Sequence, residues 1–199
     1  MGVMENEIFF VIIGNDQWII SENIRYLNRL VIPKNMKAEY IVAADTENIA
    51  ALMQKSMRQS AAKYKIYLDQ NTFIVNKNFL EKAISVFQKN SDIGMLGARG
   101  FYKPKEKNEM QSCGNYIYNY DDGRNICISN VREGNVNTII DVMALDEHFM
   151  MTAVDSDWNG NDKNFQIAKS VEMRHAGYRT VVLIEREPFV LFDNGIIVE

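Results

Sequence analysis

Histidine and cysteine are scarce in this chain, with two of each in 199 residues. No Cys-x-x-Cys or His-x-x-x-His spacing occurs, so the sequence builds in neither a zinc site nor a disulfide framework, and a reducing, cytoplasmic setting fits Cys113 and Cys127. A surplus of positive charge is missing too. Lys and Arg number 22 against 26 Asp and Glu, giving a net charge of -4 and a pI near 5.3, which argues against a nucleic-acid phosphate track. The densest basic clusters, Lys63/Lys65 and Lys103/Lys105/Lys107, read as a solvated strand edge or loop. No apolar run approaches the ~20 residues of a membrane span. The run Ile8 to Ile13 follows acidic Glu5 and Glu7, so it reads as a first strand and not as a signal peptide. Asn6 stands where a myristoylation signal starting at Gly2 wants Ser or Thr.

What is present is an ordinary globular composition, 47% hydrophobic and 24% charged, enough for one sizeable core in one domain. The strand Ile8 to Ile13 closes at Gly14-Asn15-Asp16, and Ile20, Ile24, Leu27 and Val31 follow at helical spacing until Pro33. Glu39 to Ala44 makes a second strand, Asp45-Thr46 a turn or cap, and Ile49, Met53 and Met57 mark a second helix. Ile66 to Leu68 is a third strand. Asn76 is then expected to cap a helix carrying Leu80, Ala83, Ile84 and Phe87, before a strand from Ile93 to Leu96. This β-α-β-α-β-α-β order predicts an α/β fold with a mostly parallel central sheet flanked by helices.

From Phe101 to Thr138 the texture turns to Lys, Asn, Tyr and Gly, and Asp122-Gly123 between two strand-like runs signals an inserted β-hairpin, with Tyr116, Tyr118 and Tyr120 as cross-strand packing. Ile139 to Leu145 is expected as one strand ending at Asp146-Glu147-His148; Phe149 to Val154 either continues it or packs beneath the site. Asp162 is expected to cap a helix with Phe165, Ala168, Val171 and Met173 inward, and Thr180 to Ile184 gives a last strand. The expected division is a nucleotide-binding half over 1–100, a hairpin over 101–138 and an acceptor-side half over 139–199.

Asp69 and Asn71, two residues apart at the end of the third strand, project from one side of an extended chain. Strand ends are where open α/β sheets bind ligands, so this pair is the leading candidate for a metal ion and diphosphate; the plainer reading is a strand stop and turn cap. Asn15, Asp16 and Asp45, at the ends of the first two strands, are candidates to lie near a nucleoside, and Asp16 equally suits a helix cap. Asp146 and Glu147 follow a buried strand and are candidate general bases or an ordinary polar strand end. The loop of Asp155, Asp157, Trp158 and Asp162 offers either a sugar contact or an anchoring Trp. His148 and His175 do not amount to a metal site, His175 falling on an exposed helix face.

Several blocks, taken in order, resemble the GT-A glycosyltransferases, more narrowly a small glycosyltransferase-like group related to a streptomycin-biosynthesis protein. They are Asn15-Asp16; Tyr26-Leu27-Asn28-Arg29-Leu30-Val31-Ile32-Pro33; Ala62 to Leu68 with Phe73-Ile74-Val75-Asn76-Lys77-Asn78-Phe79; Ile93-Gly94-Met95-Leu96-Gly97; Ala144-Leu145-Asp146 with Phe149-Met150; Glu172-Met173-Arg174-His175-Ala176-Gly177-Tyr178; and Glu187-Pro188-Phe189. The resemblance implies a GT-A fold and transfer of a sugar from a nucleoside diphosphate sugar to a glycan or small-molecule acceptor, with inversion, and with Mg²⁺ or Mn²⁺ at Asp69 and Asn71 neutralising the leaving diphosphate. This chain departs from the family pattern at Asn71, where a second acid is usual; at Gln166 and Ala168, where relatives carry an acidic pair; and at Phe192, where they tend to carry His. Weakened metal binding is expected, and two outcomes stay open: an active transferase, or an impaired homologue that binds a nucleotide, glycan or protein.

Overall fold

The computed structural model describes residues 3–44, 48–104, 109–119, 124–130, 138–159 and 164–193. Asp45, Thr46, the Asp122-Gly123 turn and Asp162 lie outside these residues. Ile8 to Ile13 are all buried because the strand that carries them, β1 (Met4–Ile13), is covered on both faces. Phe10 and Ile12 join one core, and Phe9, Val11 and Ile13 the other, as period-two alternation requires. Helices α1 (Gln17–Leu27) and α3 (Phe79–Lys89) contribute to the first core through Ile20, Leu27, Leu80, Ala83, Ile84 and Phe87. Helices α2 (Ile49–Arg58) and α4 (Phe165–His175) supply Met53, Met57, Phe165 and Met173 to the second.

The remaining strands are β2 (Lys37–Ala43), β3 (Ala62–Asp69), β4 (Thr72–Ile74), β5 (Ile93–Gly97), β6 (Arg99–Tyr102), β7 (Gln111–Asn119), β8 (Asn125–Asn130), β9 (Thr138–Asp141), β10 (Ala144–Leu145), β11 (Phe149–Thr152), β12 (Arg179–Ile184) and β13 (Val190–Asp193). Six of them join β1 in the seven-stranded central sheet, in the order β2-β1-β3-β11-β5-β12-β9. It is mixed but mostly parallel, as expected: β1, β2, β3, β5 and β12 run one way, and β11 and β9 run against them. β1 pairs in parallel with β2 and β3, and β12 with β5, but β11 runs antiparallel to both β3 and β5, and β9 antiparallel to β12. The second sheet, β10-β6-β7-β13-β4, carries β8 on β7.

The run Ile139 to Leu145 is not one strand. It divides into β9 in the central sheet and β10 in the second, with Val142 and Met143 between them bonded to Thr180 and Phe101 respectively. The chain then reverses at Asp146-Glu147-His148, and β11 inserts between β3 and β5, which brings that reversal to the end of β3. The cap expected from Asn76 on the third helix is not formed. Asn48 Oδ1 accepts the Ala51 N–H at 2.8 Å to cap α2, while Asn76 Oδ1 accepts the Asn78 N–H at 3.0 Å, forming a turn ahead of α3 in place of a cap on it.

Candidate functional site

The turn between β3 and β4 is built by Gln70, the residue between the two that sequence spacing singles out. Its side-chain oxygen accepts the N–H groups of both Asn15 and Asp16 at 2.9 Å, and its own N–H donates to Ile13 O at 2.8 Å. Gly14 makes room for it: a Cβ there would stand 2.1 Å from Gln70 Oε1. Buried Asn23 on α1 donates from Nδ2 to Gln70 O at 3.2 Å and to Thr72 O at 2.9 Å. Asp16 Oδ1 caps α1 by accepting from Trp18 and Ile19 N–H at 2.9 and 3.2 Å. The ends of β1 and β3 are therefore locked together, with Asn15, Asp16 and Asp69 at the same edge.

Asp69 and Asn71 do not present two oxygens to a common cleft. Asp69 Oδ1 accepts the Asn71 N–H at 2.8 Å, while Asn71 Oδ1 is enclosed and meets no hydrogen-bond donor. Among the described residues no group of three or more His, Cys, Asp or Glu is arranged to hold a metal ion. A divalent ion needs several converging oxygens, and one carboxylate with an enclosed amide is a poor fit.

Asp146 is buried and fully engaged. Arg99 Nη1 donates to its Oδ2 at 3.3 Å, the His148 N–H donates to its Oδ1 at 3.1 Å, and His148 Nδ1 pairs with the same oxygen. Burial alone would raise the Asp146 carboxyl, but the His148 hydrogen bonds and charge and the Arg99 charge prevail and hold it below the usual carboxylate range. Burial conversely would lower His148; the bond to Asp146 and the charges of Asp146, Asp69 and Glu147 outweigh it and raise the imidazole above its ordinary value. The ring also lies 5.1 Å from the Phe192 ring, which packs in turn 5.0 Å from Tyr116. An imidazole thus stands beside the tail position where the family resemblance implies one, contributed by the β10–β11 reversal. The sequence sets His148 aside as a metal ligand and gives it no other role, although Asp146-x-His148 has the same two-residue spacing at a strand end as Asp69 and Asn71.

A cavity of about 220 Å³ opens where these elements meet, lined by Ile13, Ile49, Met53, Asp69, Glu147, His148 and Phe165. Asp69 and exposed Glu147 converge on it. Asn15, Asp16, Asn71 and Asp146 are not in its lining; Asn15 and Asp16 follow the lining residue Ile13 in the chain and bond to Gln70, next to Asp69, and Asp146 bonds to the lining His148. The His148 carbonyl accepts the Asp69 N–H at 3.0 Å, fixing one side of the cavity to the other. Gln166 and Ala168 follow Phe165 on α4. Trp158 is not a surface ring: it is 4% exposed, edge-on to Tyr67 at 4.9 Å and beneath the Lys169 ammonium at 4.5 Å, which is the anchoring role.

The model of a glycosyltransferase-like family matches residues 9–198. Among curated proteins no sequence match is found. Solved structures resemble the chain at low identity. TarS from S. aureus aligns at TM-score 0.61 with 12% identity over 96% of this chain and 37% of that one, and TarS 1–349 in complex with UDP-GlcNAc aligns at 0.55 with 11% identity over 98% and 60%. A197 from STIV aligns at 0.48 with 11% identity over 98% and 97%. The chain thus spans less than two thirds of the TarS chains. The fold is of the GT-A type, an α/β architecture whose mixed sheet is flanked by helices, and the chain belongs to the glycosyltransferase-like family.

Proposed function

We propose that this member of the glycosyltransferase-like family transfers a sugar from a nucleoside diphosphate sugar to a glycan or small-molecule acceptor, using the cavity bounded by Asp69, Glu147 and His148. The observation that carries the reading is the convergence, at one strand end, of two carboxylates and an imidazole raised in pKa. A diphosphate leaving group gathers negative charge in the transition state, and His148 is the one group among the described lining residues that can carry positive charge. Asp146, with Arg99 behind it, positions that imidazole and favours its protonated form, so Asp146 is assigned a positioning role and Glu147 the role of base toward the acceptor hydroxyl. Asn15 and Asp16, which follow the lining residue Ile13, are assigned to the nucleoside, and UDP-GlcNAc, the molecule bound to TarS 1–349, is the first donor to try. A single displacement of this kind inverts the anomeric centre.

A second reading, a binding module that has lost turnover, draws on the enclosed Asn71 oxygen and on Gln166 and Ala168 standing where relatives carry acids. Release of nucleoside diphosphate from UDP, GDP and CDP sugars, with and without Mn²⁺, separates the two. Transfer is expected to fall 10²–10⁴-fold in Glu147→Ala, the usual contribution of a general base. Turnover that survives both Glu147→Ala and Asp69→Ala would overturn the assignment, and donor binding without turnover in the wild type would select the binding module.

A further inference from the structure

Two stretches that the transferase site leaves unused, 26–30 around the end of α1 and 74–77 around the end of β4, meet at a second cavity. It measures about 220 Å³ and is lined by Tyr26, Arg29, Leu30, Ile74, Val75 and Lys77. Leu30 and Ile74 belong to the first core, whereas Ile13, Met53 and Phe165 of the Asp69–Glu147–His148 cavity belong to the second, so the two cavities lie on opposite sides of the central sheet. The walls of the second cavity are held in place. The Val31 N–H donates to Lys77 O at 2.9 Å, tying the segment after α1 to the one after β4. Tyr26 packs on Phe73 with ring centroids 5.2 Å apart, and the Arg29 guanidinium carbon stands 5.7 Å from the centre of the Tyr26 ring.

The charge at this cavity is one-sided. Its lining holds two cations and no acid, on a chain whose net charge is -4. Arg25, one turn earlier on α1, is paired with Glu22, but among the described residues no carboxylate pairs with Arg29 or Lys77. A guanidinium beside an ammonium suits a phosphate: the planar fork binds two of its oxygens at once, and two positive charges match the nearly two negative charges of a phosphomonoester at pH 7. Leu30 and Ile74 are buried side chains and give the cavity an apolar floor. Its volume is below the roughly 300–1,000 Å³ of pockets that take drug-sized ligands, so it admits a single ring or a short chain. We propose that this cavity binds a small phosphomonoester, its phosphate on Arg29 and Lys77 and a compact apolar group on Leu30, Ile74 and Val75. The site is separate from the donor cavity and stands whether or not the chain transfers a sugar.

Phenyl phosphate, inorganic phosphate and phenol, titrated at millimolar concentrations into the full isotope-labelled chain and followed by its amide NMR signals, test the site. Phenyl phosphate is expected to move the amides of Leu30, Val75 and Lys77. Inorganic phosphate and phenol each offer half of the contact and are expected to bind there at least about tenfold more weakly. Arg29→Gln and Lys77→Gln change exposed side chains, so the remaining amide signals are expected to keep their positions. Each variant is expected to bind phenyl phosphate at least about tenfold more weakly, the loss of one hydrogen bond between charged groups. No movement of the three amides with phenyl phosphate overturns the site, as does wild-type affinity in both variants. Shifts confined to Asp69, Glu147 and His148 would put the phosphate in the donor cavity and overturn it equally, and inorganic phosphate bound as tightly as phenyl phosphate would overturn the ligand class.

Discussion

Asp146 and His148 form a coupled pair whose stability contribution has a definite pH window. The Asp146 carboxyl is lowered from 3.8, so its contribution is present above that value and is lost as pH falls through the depressed folded pKa. The His148 imidazole is raised from 6.5, so its contribution is full below that value and is lost as pH rises through the raised folded pKa. Together they stabilise most between those limits. Asp146→Asn is expected to lower the urea midpoint more at about pH 5 than at about pH 9, and to bring the His148 titration followed by NMR back toward its ordinary value. An unchanged titration would remove Asp146 from its positioning role. At this scale the sequence exposes residue types and spacings but not partners. Asp69 and Glu147 could be selected from their strand ends, whereas the enclosure of the Asn71 oxygen and the engagement of Asp146 by Arg99, 47 positions away, depend on tertiary placement that spacing does not encode.

The β3–β4 turn owes its shape to contacts from two other elements, and its weak points follow from them. Gly14→Ala is expected to cost about 1–3 kcal/mol, because the added methyl group would displace the Gln70 side chain that binds two backbone amides. Denaturant melts measure this, and an unaffected midpoint would mean that Gln70 finds another route. On α4 the inward positions are Phe165, Lys169, Ser170 and Met173, in place of the expected Phe165, Ala168, Val171 and Met173. Phe165 and Met173 meet the second core, whereas Lys169 turns toward the loop around Ser156: its ammonium donates to Ser156 O and, at 2.8 Å, to Ser156 Oγ. Burial pushes this lysine down to about 8 against the pull of Asp155, Asp157 and Glu172. The folded chain therefore releases the proton first, and stability is expected to rise between about pH 8 and 10.5, by on the order of 3 kcal/mol at most. Lys169→Met is expected to lack that rise; if it shows the same rise, another group is responsible. Periodicity finds the buried stripe where the partners are apolar, as for Phe165 and Met173 on α4, and misses Lys169 and Ser170 because their partners are polar.

Across the molecule, the alternation of strands and helices through Gly97 conveys an α/β fold, and the first three strands and helices fall close to where hydrophobic pattern puts them, except that α1 ends at Leu27 and leaves Val31 exposed beyond it. The antiparallel course of β11 was not readable, since the strand is too short for its direction to be marked in sequence, and direction is decided by the reversal at Asp146-Glu147-His148. That same reversal makes the cavity, carrying Glu147 and His148 from the back half of the chain to Asp69 in the front half. Binding of a nucleoside diphosphate sugar at this junction is the central claim, and the most direct measurement is the Tm of wild type and His148→Ala with UDP, GDP and CDP sugars, with and without Mn²⁺. A donor at ~100 times its dissociation constant stabilises by about 2.7 kcal/mol, or roughly 5–10 °C for a chain of this size. The expected result is such a rise for at least one donor in the wild type and a clearly smaller one in His148→Ala; no rise with any donor, or an equal rise in both proteins, would contradict it.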